Sequence, residues 1–194
     1  MPGALAMAAR LGFVGKLPAR GDFVARGLPR GFTEPWDVWL AEAISGSRTV
    51  LGESWVPAWL EAPIWRFALP AGQCGPDAVA GVLLPSVDRI GRHWPLTIAA
   101  VLPGFPGTPQ PDAAWIEALE AAGLEAVLSD VAPERLEALL ATAPPSVAAG
   151  GTVSWWTEGA PRVAPRRFTA GALPRPALFA AMMDDAAEAV GGAA

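Results

Sequence analysis

Two apolar runs, Gly81–Pro85 and Trp94–Ala99, flank a charged bend in the stretch GVLLPSVDRIGRHWPLTIA, Gly81–Ala99. Val82, Leu83, Leu84, Leu96 and Ile98 suit a buried sheet, whereas Asp88 and Gly91 suit a turn. The stretch therefore predicts two paired strands in the core, with Ser86, Asp88, Arg89, Arg92 and His93 at the rim. So many polar side chains on one short bend read either as a functional rim or as a solvated turn.

The rest of the chain supplies partners for this hairpin. Leu11–Leu17 reads as a first strand, and the close spacing of Pro18, Gly21, Gly27, Pro29 and Gly31 predicts a long structured loop after it. That loop, with the strand end before it, carries Lys16, Arg20, Asp22, Arg26 and Arg30. Thr33 is placed to cap a helix in which Trp36, Trp39, Leu40, Ala43 and Ile44 form one apolar stripe. A shorter helix opens at Ser54, with Trp55, Trp59 and Leu60 expected to face inward, and Pro63 hands over to a strand at Ile64–Leu69. With the hairpin, that strand makes an antiparallel meander of three. After the proline-rich connector Gly104–Pro111 comes a helix bearing Trp115, Ile116, Leu119 and Ala122, expected to break near Gly123, and then another begun by Pro133. Beyond a second linker, Thr152–Thr157 reads as a strand buried on both faces. Arg162, Arg166 and Arg167 then lie on an edge strand, and Leu178, Phe179, Met182 and Met183 on a terminal helix. The pattern predicts one α+β domain, a mostly antiparallel sheet of about five or six strands with helices on both faces. Its expected bounds are 11–185, with a flexible N-terminus at 1–10 and a loose tail at 186–194.

Composition narrows the function. A formal charge of −5 argues against binding nucleic acid by phosphate neutralisation. Cys74 has no second cysteine to pair with, and Cys74 and His93 alone cannot make a structural zinc site, so neither a disulfide, a metal nor another cofactor is expected. The N-terminal MPGALAMAAR lacks a basic leader, and no stretch reaches the roughly 18 apolar residues of a membrane span. The expectation is a soluble, cytoplasmic protein without membrane insertion. Nine tryptophans without one tyrosine are the other marked bias, and each indole N–H needs a partner when its ring is buried.

Motifs for catalysis fail one by one. Gly15-Lys16 is not a phosphate loop, since Arg10 stands at the first glycine position and Leu17 replaces the magnesium-binding hydroxyl residue. Ser86, Asp88 and His93 supply the residue types of a hydrolytic triad, but no G-x-S-x-G elbow surrounds the serine. What remains is a charged cluster on two loops, Lys16, Arg20 and Asp22 on one and Ser86, Asp88, Arg89 and Arg92 on the other. These seven are the candidate binding residues, and the two loops are expected to meet at one end of the sheet.

Three blocks carry a family likeness: GKLPARGDF at Gly15–Phe23, PSVDRIGR at Pro85–Arg92 and SWWT at Ser154–Thr157. In these blocks the chain resembles the TagF family, accessory proteins of bacterial type VI secretion, over essentially the whole domain. An aromatic residue is usual in that family where His93 stands. The resemblance implies a post-translational repressor rather than an enzyme, acting by protein–protein binding in a pathway linked to threonine phosphorylation. Its implied partners are type VI secretion components, a forkhead-associated scaffold protein among them for some members. The alternative from the residues themselves is a phosphate- or phosphopeptide-binding domain, hydrolytic or not, built on the charged loop cluster.

Overall fold

The computed structural model describes residues 9–187. Apart from Ala9, Arg10, Ala186 and Ala187, the expected loose ends lie outside the described residues. Nine strands and five α-helices follow in order: β1 Arg10–Lys16, β2 Phe23–Arg26, α1 Arg30–Leu51, α2 Trp55–Leu60, β3 Trp65–Leu69, β4 Ala78–Leu84 and β5 Leu96–Leu102. Then come β6 Pro109–Pro111, α3 Ala113–Leu128, α4 Pro133–Ala141, β7 Val147–Ala149, β8 Trp155–Thr157, β9 Arg166–Phe168 and α5 Pro176–Ala181. Seven strands form one sheet in the order β2-β1-β5-β4-β3-β8-β9, with every neighbouring pair antiparallel, while β6 and β7 form a separate ribbon. The α+β class and the meander β3–β4–β5 are as expected, and the sheet is slightly larger than five or six strands.

Alternation in the central strands divides the core into two layers. Val79, Leu83, Ala99, Val101 and Phe67 face one side, packing with Trp36, Trp39, Trp55 and Trp59 of α1 and α2 and Phe179 of α5. Ala80, Val82, Leu84, Ile98 and Ala100 face the other, under Trp115, Ile116 and Leu119 of α3 and Leu136 of α4. Both β4 and β5 are buried along their whole length, which is why they read as continuous apolar runs.

Six of the nine indoles donate to an acceptor in the protein. Trp36 reaches the Thr97 hydroxyl at 2.8 Å, Trp55 the Ser47 hydroxyl at 2.8 Å and Trp59 the Ser86 carbonyl at 3.1 Å. Trp39, Trp65 and Trp115 donate to the carbonyls of Pro174, Met182 and Ala143. These bonds tie each anchor to a second element, so the tryptophans fix orientation as well as filling volume.

Several local expectations are corrected. The stretch after Lys16 is not all loop: Phe23–Arg26 folds back on β1 as an edge strand, with Lys16 opposite Phe23 and Phe13 opposite Arg26. Gly12 and Gly27 permit it, because a Cβ on either would lie 2.1 Å from the Arg26 carbonyl oxygen or 2.5 Å from that of Leu11. Helix α1 starts at Arg30 rather than after Thr33, with Pro29 in extended backbone as its N-cap. Leu60 is 63% exposed rather than inward. Helix α3 runs through Gly123 unbroken, since that glycine lets the helix lie against Leu84 and Ile98. The strand expected over Thr152–Thr157 is confined to β8, where Trp155 is buried but Trp156 only half-buried, and Arg162 lies outside the edge strand.

Candidate functional site

The end of β1 and the bend between β4 and β5 come together at one rim of the sheet. The bend is a tight hairpin tip. Trp94 N–H donates to Ser86 O at 3.1 Å, Asp88 N–H to Arg92 O at 3.0 Å and Gly91 N–H to Asp88 O at 2.9 Å. Gly91 takes φ +85°, which glycine adopts without the steric penalty of a side chain.

Asp88 organises the tip. Its side chain is fully buried, and Oδ1 accepts the backbone N–H of Ile90 at 3.1 Å and of Arg92 at 2.8 Å. Oδ2 accepts Arg92 Nε at 2.6 Å and lies 3.2 Å from Lys16 Nζ. Burial alone would raise this carboxyl, but the Arg92 backbone N–H, the Arg92 guanidinium and Lys16 outweigh it and hold the group well below the usual carboxylate range. Arg92 also donates to Gly21 O, Ser86 Oγ donates to Lys16 O at 2.9 Å, and Arg89 reaches Ala19 O at 3.5 Å. Four contacts thus bind the hairpin tip to the last residue of β1 and the loop after it.

The seven candidate residues therefore divide by environment. Lys16, Ser86, Asp88 and Arg92 form one connected network. Arg89 stays two-thirds exposed at its edge, 3.8 Å from Asp130 at the end of α3, a contact that sequence spacing did not reveal. Arg20 and Asp22 are exposed on the connecting loop and form no side-chain hydrogen bond or ion pair among the described residues. Ile90 is 69% exposed at the apex, and Phe23, at the start of β2, packs edge-on against Trp94 with ring centres 5.7 Å apart.

Ser86, Asp88 and His93 do not form a relay. Ser86 Oγ is turned to Lys16 O, Asp88 is occupied by Lys16 and Arg92, and the His93 ring stands edge-on to Trp55 and Trp59 at 5.3 and 6.1 Å. Burial, and then the nearby Arg48, lower the His93 pKa against a smaller opposing pull from Asp88. What the rim offers is a rigid tip presenting arginines and an aliphatic apex. Among the described residues no cluster of His, Cys, Asp and Glu could hold a metal, and no helix is long and apolar enough to cross a membrane.

The comparisons agree with this architecture. No curated protein matches the chain. A crystal structure of PA0076 from Pseudomonas aeruginosa PAO1 is similar, with a TM-score of 0.78 and 33% identity over 90% of this chain and 94% of that one. The TagF N-terminal domain, which is type VI secretion system-associated, matches residues 12–143. The chain with this clamped rim belongs to the TagF N-terminal domain family.

Proposed function

We propose that the domain is an accessory regulator of type VI secretion, a post-translational repressor that binds another protein in the cytoplasm within a threonine-phosphorylation-linked pathway. The observation that carries this reading is the arrangement at the rim. Asp88 ties down Lys16 and the half-exposed Arg92, while Arg89 and Ile90 on the same tip and Arg20 on the neighbouring loop stay exposed. Exposed charges of this kind govern partner choice and association rate, and an aliphatic residue among them supplies an anchor. The partner is a component of the secretion system, with a forkhead-associated scaffold protein the first to test. The domain acts by binding rather than catalysis. A phosphate or phosphopeptide pocket on the same residues finds less support, because the two cations best placed to line it are already engaged by Asp88.

The test is a pull-down with the tagged chain from cells whose secretion system is intact, comparing wild type with Arg20→Glu/Arg89→Glu. A secretion component captured by the wild type and lost by the variant is expected. Equal capture by both would move the binding surface elsewhere.

A further inference from the structure

A second, unrelated site lies on the opposite half of the sheet. Helix α3 packs against β4 and β5 and α4 against β1, while β6 of the ribbon lies against β3 and β4. Between the ribbon and the strands an open cavity of about 400 Å³ remains, within the size range of small-molecule sites. Its floor is a cross-strand row. Arg66 lies directly opposite Trp156, and Trp156 directly opposite Arg167, so the three side chains leave the sheet on one face.

The two arginines in this row are not equivalent. Arg66 is largely buried and forks onto Glu120, with Nε at 2.7 Å and the terminal nitrogen at 3.0 Å, and gives its remaining nitrogen to Glu158 at 2.8 Å. Its charge is spent and its position fixed. Arg167 is exposed and makes no ion pair among the described residues. Trp156, half-buried between them, gives the floor an apolar plane. Gln110 and Thr152 line the other side. That side is knit within itself: Gly151 N–H donates to Thr108 O at 3.0 Å, and a Cβ on Gly151 would lie 2.2 Å from the Pro109 carbonyl oxygen.

We propose that this cavity binds a small organic anion with a flat apolar body, its carboxylate or phosphate on Arg167 and its ring against Trp156. A guanidinium without a carboxylate partner offers paired donors to an oxyanion, and the adjoining indole rewards a planar group that inorganic anions lack. Gln110 and Thr152 supply orienting polar contacts from the other side. Glu158 at the mouth and the chain's net charge of −5 disfavour a long polyanion such as nucleic acid. The site is independent of the rim.

The probes are phenyl phosphate and benzoate, which separate the two acid groups, with inorganic phosphate and benzyl alcohol supplying charge or ring alone. Each is titrated into the chain while the Trp156 indole N–H is followed by nuclear magnetic resonance, its signal assigned by its loss in Trp156→Phe. One aromatic anion should saturate and shift that signal. Arg167→Gln should weaken it about tenfold with unchanged melting, and Arg89→Gln should leave it alone. The proposal is overturned if neither aromatic anion saturates at millimolar concentration, if inorganic phosphate or benzyl alcohol binds as tightly, or if Arg167→Gln binds like wild type.

Discussion

The indole N–H of Trp65, in β3, donates to the Met182 carbonyl at 2.9 Å across 117 residues of sequence. Trp39 makes the same kind of bond to Pro174 O, and Trp155 of β8 stacks 6.3 Å from Trp36 in the middle of the aromatic layer. The core therefore runs well past residue 143, where the family match ends.

Ending the chain after residue 143 should abolish cooperative folding. Trp155, Phe179, Met182 and Met183 would all be lost from one layer. At about 1.5–3 kcal/mol for each buried apolar side chain, that sum rivals the whole stability of a typical domain, about 5–15 kcal/mol. The near-ultraviolet circular dichroism of the truncated chain should be flat, and a sharp melt with native signal would refute the prediction.

Asp88 sets a sensitivity to strong acid. Its folded pKa is lowered, so its contribution is fully present above the ordinary carboxylate value and is lost as pH falls through the folded one. Asp88→Asn keeps the side chain's shape but strands Lys16 and Arg92 without a counter-ion. The variant should melt several degrees below wild type at neutral pH, and the gap should narrow below about pH 3. A gap that stays constant across that range would remove Asp88 from the acid response.

His93 acts in a higher window. Burial and Arg48 lower its pKa, so the folded state resists its protonation, and stability present above the ordinary histidine value falls as the solution is acidified through it. His93→Phe keeps an aromatic edge against Trp55 and Trp59 without the titration. Between about pH 7 and pH 5 the variant's unfolding midpoint should stay level while that of wild type declines. Parallel curves would show that some other group titrates there.

Residues with a period were legible in the sequence, and residues defined by distant partners were not. Trp36, Trp39, Leu40 and Ala43 fall on one helical face, and Val82, Leu84, Leu96 and Ile98 read as core strands, because both signals are local. Strand β2 escaped because its neighbours Gly21, Gly27 and Pro29 read as loop punctuation. In the fold, Gly27 sits there so that two backbones can touch. The two charged loops could be expected to meet from their places at strand ends. That one carboxylate, Asp88, would bind four donors from both of them could not, nor that Arg66 would find Glu120 54 positions away. Arg66 did carry a signal, a lone charge inside the apolar run WRFAL.

Gly123→Ala tests how closely α3 lies on the sheet. The helix would gain about 1 kcal/mol from losing glycine. The new Cβ, however, would sit 2.9 Å from both Leu84 methyls and 3.2 Å from Ile98 Cδ1, in a fully packed layer. Overpacking of this kind costs about 1–3 kcal/mol, so a net loss of about 1 kcal/mol is expected in chemical denaturation. A stabilised variant would mean that Leu84 has room to turn away.

Charge reversal at the rim separates binding from folding. Arg20 and Arg89 are exposed, and the Arg89–Asp130 contact is of the surface kind worth about 0–1 kcal/mol, so Arg20→Glu/Arg89→Glu should leave the melting temperature nearly unchanged. Arg92→Glu should instead lower it markedly, because it brings a second carboxylate against buried Asp88 and loses the bond to Gly21. If the rim is the repressing surface, the double variant should release secretion at native stability, whereas Arg92→Glu should release it only together with unfolding. Secretion output and melting measured on the same three proteins decide the matter. A stable double variant that still represses fully would show that Arg20 and Arg89 do not meet the partner.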